Sequence, residues 1–549
     1  MNPQQMRGDL EWPSIPAMVA DSVRRYADQE AIVDGDLRLT YAELGAHIEQ
    51  ATKAMIAAGV EHGDRVGIWA PNIHQWILAA LGTLGAGAAV VPLNTRYKGH
   101  EAAYILAKSR ATTLCTVNGF LNTNFVALLR TTAGDASNGR PVGGLVHLAR
   151  VIVMSGPAPA TTLDWDQFLA GADHVSDDRL HERLTEVKPD DLSDILFTAG
   201  TTGKPKGVML THAQTLRQFA DWSSIIGLRS GDRYLIVNPF FHVFGLKAGI
   251  TSALMRGATV LPMPMFDLDE AMATIERERV TVFPGPPTIH QSMLNHPRRQ
   301  DFDLSSLRLC ATGAADVPEE MIRRMREEMS YETIVTGYGL TECTGTATMS
   351  NRADPVEKIA RTSGCAIPDV EVQVVDDEMN EVDRGTQGEI VIRGYNVMLG
   401  YFDEPDQTAT AIDQNGWLHS GDLGVMDEDG YLSITGRKKD MFIVGGFNTY
   451  PAEIEADLLE HAAIAHVAVV GIPDDRLGEV GMAWVVLRHG ATVTAEELIA
   501  WSRERLANFK VPRYVQFLDE LPKNAAGKVL KTELGERGTG LMNTETVAP

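Results

Sequence analysis

Residues 198–207 read Thr-Ala-Gly-Thr-Thr-Gly-Lys-Pro-Lys-Gly, and the rest of the chain is interpreted outward from this run. Glycines let a backbone approach an anion closely, threonine hydroxyls donate hydrogen bonds, and two lysines balance negative charge. Strand-like runs at 194–197 and 208–210 flank it, which predicts a loop held between two strands. It is not a Walker A loop, because Pro205 follows Lys204 where that motif has Ser or Thr. The pattern predicts a phosphate-binding loop, with an ordinary flexible surface loop as the alternative.

Composition limits the class of protein. The 549 residues suffice for two or more domains, and 44% hydrophobic with 22% charged residues is typical of globular proteins. A net charge of −24 argues against nucleic acid or anionic membranes as partners. The four cysteines form no C-x-x-C pair and favour free thiols in a reducing cytosol. No signal peptide is visible and the most apolar stretch, 81–93, is too short to span a bilayer, so we expect a cytoplasmic protein without a membrane span.

Helix and strand patterns alternate in the first part of the chain. Thr40 and Glu43 form a candidate capping box before a helical apolar repeat. Strands are predicted at 65–70 and 88–93 with a helix at 76–84 between them, which implies parallel sheets covered by helices. A compact alternation of helices and strands follows 436–440, where we place a domain boundary.

Two other stretches are polar or rich in small residues. Residues 131–145 are Gly-rich and predict a surface loop, and residues 534–549 predict a frayed tail.

The loop resembles the phosphate loop of the adenylate-forming superfamily, which contains acyl-CoA synthetases, peptide-synthetase adenylation domains and firefly luciferase. The resemblance implies that ATP phosphates contact Thr198, Gly200, Thr201, Thr202, Gly203 and Lys206. Ala199 stands where the family usually has Ser, and the missing hydrogen bond should cost about 1 kcal/mol.

Four further motifs of the large domain resemble the same family. The resemblance implies that Tyr338-Gly339-Leu340-Thr341-Glu342 supplies a ring for the purine, a phosphate contact at Thr341 and a magnesium ligand at Glu342. Gly313, Ala314 and Ala315 would let the backbone approach adenine, and Asp422 would accept the ribose hydroxyls. The segment 239–245 would line the acyl pocket with His242 as its gate. Taken alone, the Tyr338–Glu342 motif is explained as well by a strand end with a surface carboxylate, Asp422 is more typical of a turn, and the segment 239–245 is more typical of core.

The C-terminal part carries the remaining motifs. Arg437 is implied to share the ribose with Asp422, and Lys439 to form the hinge. Gly445 and Gly446 would leave room for the pantetheine arm of CoA, and Lys528 would be the catalytic lysine between the attacking carboxylate and the α-phosphate. By itself, Lys528 would be interpreted as an exposed surface lysine.

The order and spacing of these motifs match the family from about residue 30 to 531. The resemblance implies an α/β fold, with a large domain of helix-covered sheets at 1–436 and a small mobile α+β domain at 437–549, as in acyl-CoA synthetases and luciferase. It also implies an AMP-forming acid:CoA ligase that uses ATP, Mg²⁺ and CoA, with Lys528, Glu342, Thr198 and His242 in catalytic roles.

The acid itself is less determined by the sequence. The segments 240–249 and 285–289 look closest to bacterial ligases that activate propanoate side chains of sterol-ring fragments. A medium- or long-chain fatty acid ligase, and an enzyme that loads a separate carrier protein, are the alternatives. A non-catalytic nucleotide-binding protein and a luciferase-like oxidase also stay open, and a homodimer is left open as well.

Overall fold

The computed structural model describes residues 7–137, 139–198, 204–313, 317–437, 441–522 and 529–545. The expected division into an α/β body and a small C-terminal unit is confirmed. Five sheets carry the chain, four before Arg437 and one after Phe442.

The largest sheet has eight strands and contains both strands that flank the phosphate loop. Its strands in spatial order are Gly400–Tyr401, Lys206–Thr211, Leu192–Thr198, Ala89–Pro92, Arg65–Trp69, Thr113–Val117, Arg150–Ser155 and Leu163–Asp164. Six of them run parallel, as the helix–strand alternation predicts, and the first two pair antiparallel. The expected strands at 65–70 and 88–93 are therefore confirmed, with helix His74–Gly85 between them.

Two four-stranded sheets are joined through single bridges at Val282. One contains Arg233–Ile236, Thr259–Pro262, Glu30–Asp34 and Leu37–Thr40. The other contains Leu309–Gly313, Thr333–Tyr338, Thr348–Met349 and Cys365–Ala366, with the first two strands parallel. A third, antiparallel sheet contains Val370–Val375, Gln387–Gly394, Leu418–Met426 and Leu432–Arg437.

Helices cover these sheets, and the following have α-helical geometry in the large body: Gly8–Glu11, Ile15–Arg25, Tyr41–Ala57, His74–Gly85, Gly99–Lys108, Phe125–Ala133, Trp165–Ala170, Asp177–Glu186, His212–Ile226, Ser252–Arg256, Leu268–Glu278, Pro287–Leu294, Glu319–Met329, Val356–Arg361 and Pro405–Ala411. Phe244–Thr251 is a π-helix, and π-helical turns occur frequently at functional sites. The predicted capping box is present, since the Thr40 amide donates to Glu43 Oε2 at 2.8 Å and the Glu43 amide donates to Thr40 Oγ1 at 3.2 Å.

The small C-terminal unit is a five-stranded mixed sheet. Its strands are Phe442–Val444, Phe447–Thr449, Ile464–Asp474, Gly478–Leu487 and Tyr514–Phe517, and its helices are Pro451–Leu459, Ala495–Arg505 and Lys531–Glu545. Separate apolar clusters form around Val485 and Trp484 of the long strand, on its two faces. Because the sheets change between Arg437 and Phe442, the boundary at 436 is compatible with the fold and stays a prediction.

One expectation about loops is confirmed in part and one is wrong. Residues 134–137 and 139–145 belong to no named helix or strand and are mostly exposed or half-buried, but Val142 is fully buried and Leu145 is 4% exposed. Apolar anchors at irregular spacing inside a Gly-rich run leave no periodic signal. The segment 534–549 is not frayed throughout, because helix Lys531–Glu545 buries Leu534 against Met482 and Trp484.

The expectation of free thiols is confirmed. All four cysteines are free thiols. Across the described ranges, no helix combines the length and apolar character that a bilayer span requires.

Candidate active site

The base of the phosphate loop is the end of an antiparallel pair. Strand Leu192–Thr198 runs back as Lys206–Thr211, with Thr198 directly opposite Lys206 in register. The pairing fixes the positions of both residues at the mouth of the loop. Residues 199–203, which include Ala199, Gly200, Thr201, Thr202 and Gly203, lie outside the described residues.

Glu342 lies beside this base. It belongs to a 3-10 turn, Thr341–Cys343, that follows strand Thr333–Tyr338. The Thr198 hydroxyl donates to Glu342 Oε1 at 3.4 Å, and the Tyr401 hydroxyl donates to the same oxygen at 3.0 Å. The tertiary structure thus brings together two motifs that are 144 residues apart in sequence.

Tyr401 is a site residue that sequence reasoning missed. Its strand, Gly400–Tyr401, adds to the sheet beside Lys206–Thr211, with Tyr401 opposite Val208. Burial, and then the adjacent Glu342 carboxylate, raise the pKa of Tyr401 far above its usual value. The phenol therefore stays protonated and donates its hydrogen bond. Only the strand pairing reveals this residue, because a two-residue strand has no periodicity.

Lys206 completes the cluster. Its Nζ lies 4.5 Å from the centroid of the Tyr401 ring and 3.0 Å from Gln407 Oε1. The cation is thus held against an aromatic face near the Glu342 carboxylate, where a cation–π contact restrains a flexible lysine. Such a fixed positive charge at the mouth of the loop suits phosphate oxygens.

The surroundings of Glu342 that the structure describes fit a Mg²⁺ ion that takes most of its ligands from water and phosphate, and they do not fit a metal ion bound by several protein side chains. In the part of the chain that the structure describes, no three His, Cys, Asp or Glu residues are grouped as a metal site would need. Mg²⁺ typically takes one or two carboxylates and completes its shell with water and substrate phosphates. A single half-buried carboxylate beside a phosphate-binding loop fits that donor set.

Tyr338, at the end of strand Thr333–Tyr338, and Asp422, in the middle of strand Leu418–Met426, form a second pair. The Tyr338 hydroxyl donates to Asp422 Oδ2 at 2.7 Å, and Asp422 is 4% exposed. Burial, followed by the Asp422 charge, raises the pKa of Tyr338 well above its usual value. Asp422 also lies opposite Arg437 in register across strands Leu418–Met426 and Leu432–Arg437. The main chains of the two expected ribose residues are thus neighbours across adjacent antiparallel strands.

The backbone packs closely around Gly313, in the segment that is predicted to contact adenine. Gly313 is in register with Gly337, and a Cβ at Gly313 would lie 3.0 Å from the Gly337 carbonyl oxygen. At Gly339 a Cβ would lie 2.5 Å from the Gly345 carbonyl oxygen, so that position requires glycine. Ala314 and Ala315 lie outside the described residues.

His242 lies before the π-helix and has an exposed ring. The Phe244 amide donates to its Nδ1 at 3.2 Å, which assigns the proton of the neutral ring to Nε2. Desolvation by surrounding protein nevertheless lowers the pKa of His242 to about 4. His242 is therefore neutral at physiological pH.

The Gly445-Gly446 turn joins strands Phe442–Val444 and Phe447–Thr449. Both glycines have positive φ, +56° and +85°, as a two-residue hairpin of type I′ requires. Gly445 lines a cavity of about 140 Å³ between the small unit and the large body. Three exposed arginines, Arg96, Arg503 and Arg513, also line the cavity.

Several expected residues are not placed by these contacts. Lys439 and Lys528 lie outside the described residues, and the strand Leu432–Arg437 positions only the main chain of Arg437. Thr341 lies in the same turn as Glu342. The roles assigned to the site residues stay predictions.

Family models match both parts of the chain. Residues 19–402 match the AMP-binding enzyme family, and residues 453–528 match the AMP-binding enzyme C-terminal domain. Two curated relatives carry the name 3-[(3aS,4S,7aS)-7a-methyl-1,5-dioxo-octahydro-1H-inden-4-yl]propanoyl:CoA ligase. The Mycobacterium tuberculosis protein is 47% identical over 96% of this chain and 99% of its own length. The Rhodococcus jostii protein is 45% identical over 95% of this chain and 98% of its own length.

Solved structures of similar chains have the same fold. An o-succinylbenzoate CoA synthetase from Bacillus subtilis, bound with its product analogue OSB-NCoA, has a TM-score of 0.78 at 27% identity over 95% of this chain and 98% of that chain. ATP-bound MatB from Rhodopseudomonas palustris has a TM-score of 0.66 at 28% identity over 96% of this chain and 99% of that chain. The match of both family models, together with relatives that align over nearly the whole length, shows that this chain belongs to the AMP-binding, adenylate-forming enzyme family.

Proposed function

We propose that the protein is an AMP-forming acid:CoA ligase that activates a steroid-derived bicyclic propanoate. The observation that carries the proposal is the assembly of Thr198, Glu342, Tyr401 and Lys206 at the mouth of the phosphate loop. The names of the two relatives at 45% and 47% identity support the substrate class.

The first step overcomes the poor leaving group of a carboxylate. The carboxylate attacks the α-phosphorus of ATP, the bond to the pyrophosphate oxygen breaks, and an acyl-adenylate forms. The loop that starts at Thr198 would hold the β- and γ-phosphates, with Lys206 as a fixed cation. Lys528 would stabilise the negative charge that develops between the two reacting anions.

Glu342 would hold Mg²⁺, which when bound neutralises part of the phosphate charge. The hydrogen bonds from Thr198 and Tyr401 fix the orientation of this carboxylate. Asp422, buried and hydrogen-bonded to Tyr338, would accept the ribose hydroxyls.

In the second step the CoA thiol attacks the acyl carbonyl, and AMP leaves. We propose that the small unit rotates between the two steps, exchanging Lys528 for the Gly445-Gly446 turn. We assign the observed arrangement of the two units to the second step, thioester formation, because Gly445 faces the large body across the cavity lined by Arg96.

The cavity beside Gly445 is a suitable place for the charged end of CoA. Three guanidinium groups around it match the phosphate groups of that cofactor. This local positive charge contrasts with the net charge of −24 of the whole chain. A cytoplasmic setting and a homodimer remain parts of the proposal.

The test follows each half-reaction. Acid-dependent exchange between pyrophosphate and ATP reports the first step, and CoA-dependent AMP release reports the second. A panel should set bicyclic propanoates against fatty acids of graded length, and CoA against carrier protein. A preference for bicyclic propanoates supports the proposal. A preference for fatty acids would refute the proposed substrate class, and the absence of exchange with every acid would refute the proposed adenylation step.

A further inference from the structure

A buried ion cluster joins the small unit to the large body. The Lys510 ammonium lies 2.8 Å from Glu101 Oε1 and 2.6 Å from Glu453 Oε1. The side chains of Lys510, Glu101 and Glu453 are 3%, 6% and 7% exposed. Glu101 belongs to helix Gly99–Lys108 of the large body, whereas Glu453 lies on helix Pro451–Leu459 of the small unit.

The cluster keeps the lysine charged. Burial opposes its charge, but Glu453 and Glu101 outweigh burial and raise the pKa of Lys510. The ammonium also lies 4.7 Å from the centroid of the Tyr97 ring, which belongs to the large body. The buried cation thus has two partners in its own unit, Glu453 and the Phe509 ring at 5.6 Å, and two in the large body.

Only one of the two ion pairs crosses between the units. The Lys510–Glu453 pair lies within the small unit and would travel with it, whereas the Lys510–Glu101 pair exists only while the units are docked in this way. A buried ion pair requires precise geometry, because the attraction between the two charges offsets their desolvation cost only at close contact. The Glu101 contact therefore favours one orientation of the small unit.

This orientation is the one that brings the small unit to the active site. Glu453 follows the Gly445-Gly446 turn by a few residues, on the helix that begins at Pro451. Tyr450, immediately before that helix, is close enough to Tyr401 to add to the rise in its pKa, after burial and Glu342. The ion cluster and the Glu342 site thus contact opposite ends of one short segment, 450–453.

We propose that Glu101 and Lys510 are positioning residues that hold the small unit in the arrangement for thioester formation, and that they are not needed for adenylate formation. The inference rests on the proposed rotation between the two steps. It assigns a role to Lys510, which takes no part in either of the two chemical steps.

The test separates the half-reactions in the full-length protein. In Glu101→Gln, thioester formation from CoA and pre-made acyl-adenylate should fall about 10-fold or more, since the interdomain charge pair is lost. Pyrophosphate–ATP exchange should stay within about twofold of the wild-type rate, because loss of the Glu101–Lys510 pair does not disfavour the arrangement that forms the adenylate. Spin labels on the two units should report a smaller docked population.

Glu404→Gln is the control for loss of an ion pair within one unit. Glu404 pairs with Lys108 at 2.6 Å, at the other end of the same helix, but both partners belong to the large body. This variant should leave both half-reactions within about twofold, since an ion pair inside one unit does not bias the rotation.

Lys510→Met is the second variant and guards against a folding defect in the first. It should give the same split, and the double variant should be no slower in thioester formation than the slower single one, because the two residues share one contact. An equal loss in both half-reactions, or unchanged thioester formation in both single variants, would overturn the proposal. Failure of wild-type exchange would instead refute the proposed function.

Discussion

Removing the Tyr401 hydroxyl tests how Glu342 is held. In Tyr401→Phe the ring that contacts Lys206 at 4.5 Å remains, and only the 3.0 Å hydrogen bond to Glu342 Oε1 is lost. The other bond to that oxygen, from Thr198, is 3.4 Å long and therefore weaker. Glu342 would then be poorly oriented for a metal ion and phosphates.

The expected magnitude follows from the charge of the acceptor. A hydrogen bond to an ionised group contributes about 1.5–3 kcal/mol, and each 1.4 kcal/mol corresponds to about tenfold in rate. Acid-dependent pyrophosphate–ATP exchange should therefore fall about 10- to 100-fold in kcat/KM. Thioester formation from a pre-made adenylate should change less than about threefold, because the phosphates that Glu342 serves have already left.

Tyr431→Phe is the control for this experiment. Its hydroxyl donates to Asp354 Oδ1 at 2.8 Å, which makes a comparable tyrosine–carboxylate bond away from Glu342. It should leave the exchange rate near that of wild type. A folded Tyr401→Phe protein with exchange within about twofold of wild type would refute the idea that this hydroxyl orients Glu342.

Three further predictions concern the ribose pair, the acyl segment and acid stability. Asp422→Asn should raise the KM for ATP about 10-fold, since the ionised acceptor beside Tyr338 is lost; an unchanged KM would remove Asp422 from the ribose site. Gly245→Ala should lower stability by roughly 1–3 kcal/mol, because its Cβ would lie 2.1 Å from the Pro239 carbonyl oxygen, whereas Gly535→Ala, within helix Lys531–Glu545 and with no atom within 4 Å, should leave the Tm unchanged or raise it slightly. His290 is fully buried and burial lowers its pKa to about 3, so the unfolded chain binds this proton first and stability should fall as pH drops from about 6.5 toward 3. Denaturant unfolding of His290→Leu should show a shallower fall over that range, and an identical pH profile would contradict the assignment.

The local patterns that sequence reasoning predicted best are those with a short period or a fixed spacing. The Thr40–Glu43 capping box, the helix His74–Gly85 and the strands beside the phosphate loop all appear as expected. Each depends on neighbours within a few residues, so its physical cause is present in the linear chain. The order of the motifs was also enough to identify the family.

What only the tertiary structure decided are the contacts between distant segments. Tyr401 joins Glu342 because a two-residue strand pairs beside Val208, and Lys510 meets Glu101 across 409 residues of sequence. Leu534 is core because the last helix packs on Met482 and Trp484. The sequence specifies the chemical type of every side chain. Which charged groups share a buried site depends on how the sheets and the two units pack together, and the pattern of neighbouring residues does not predict that packing.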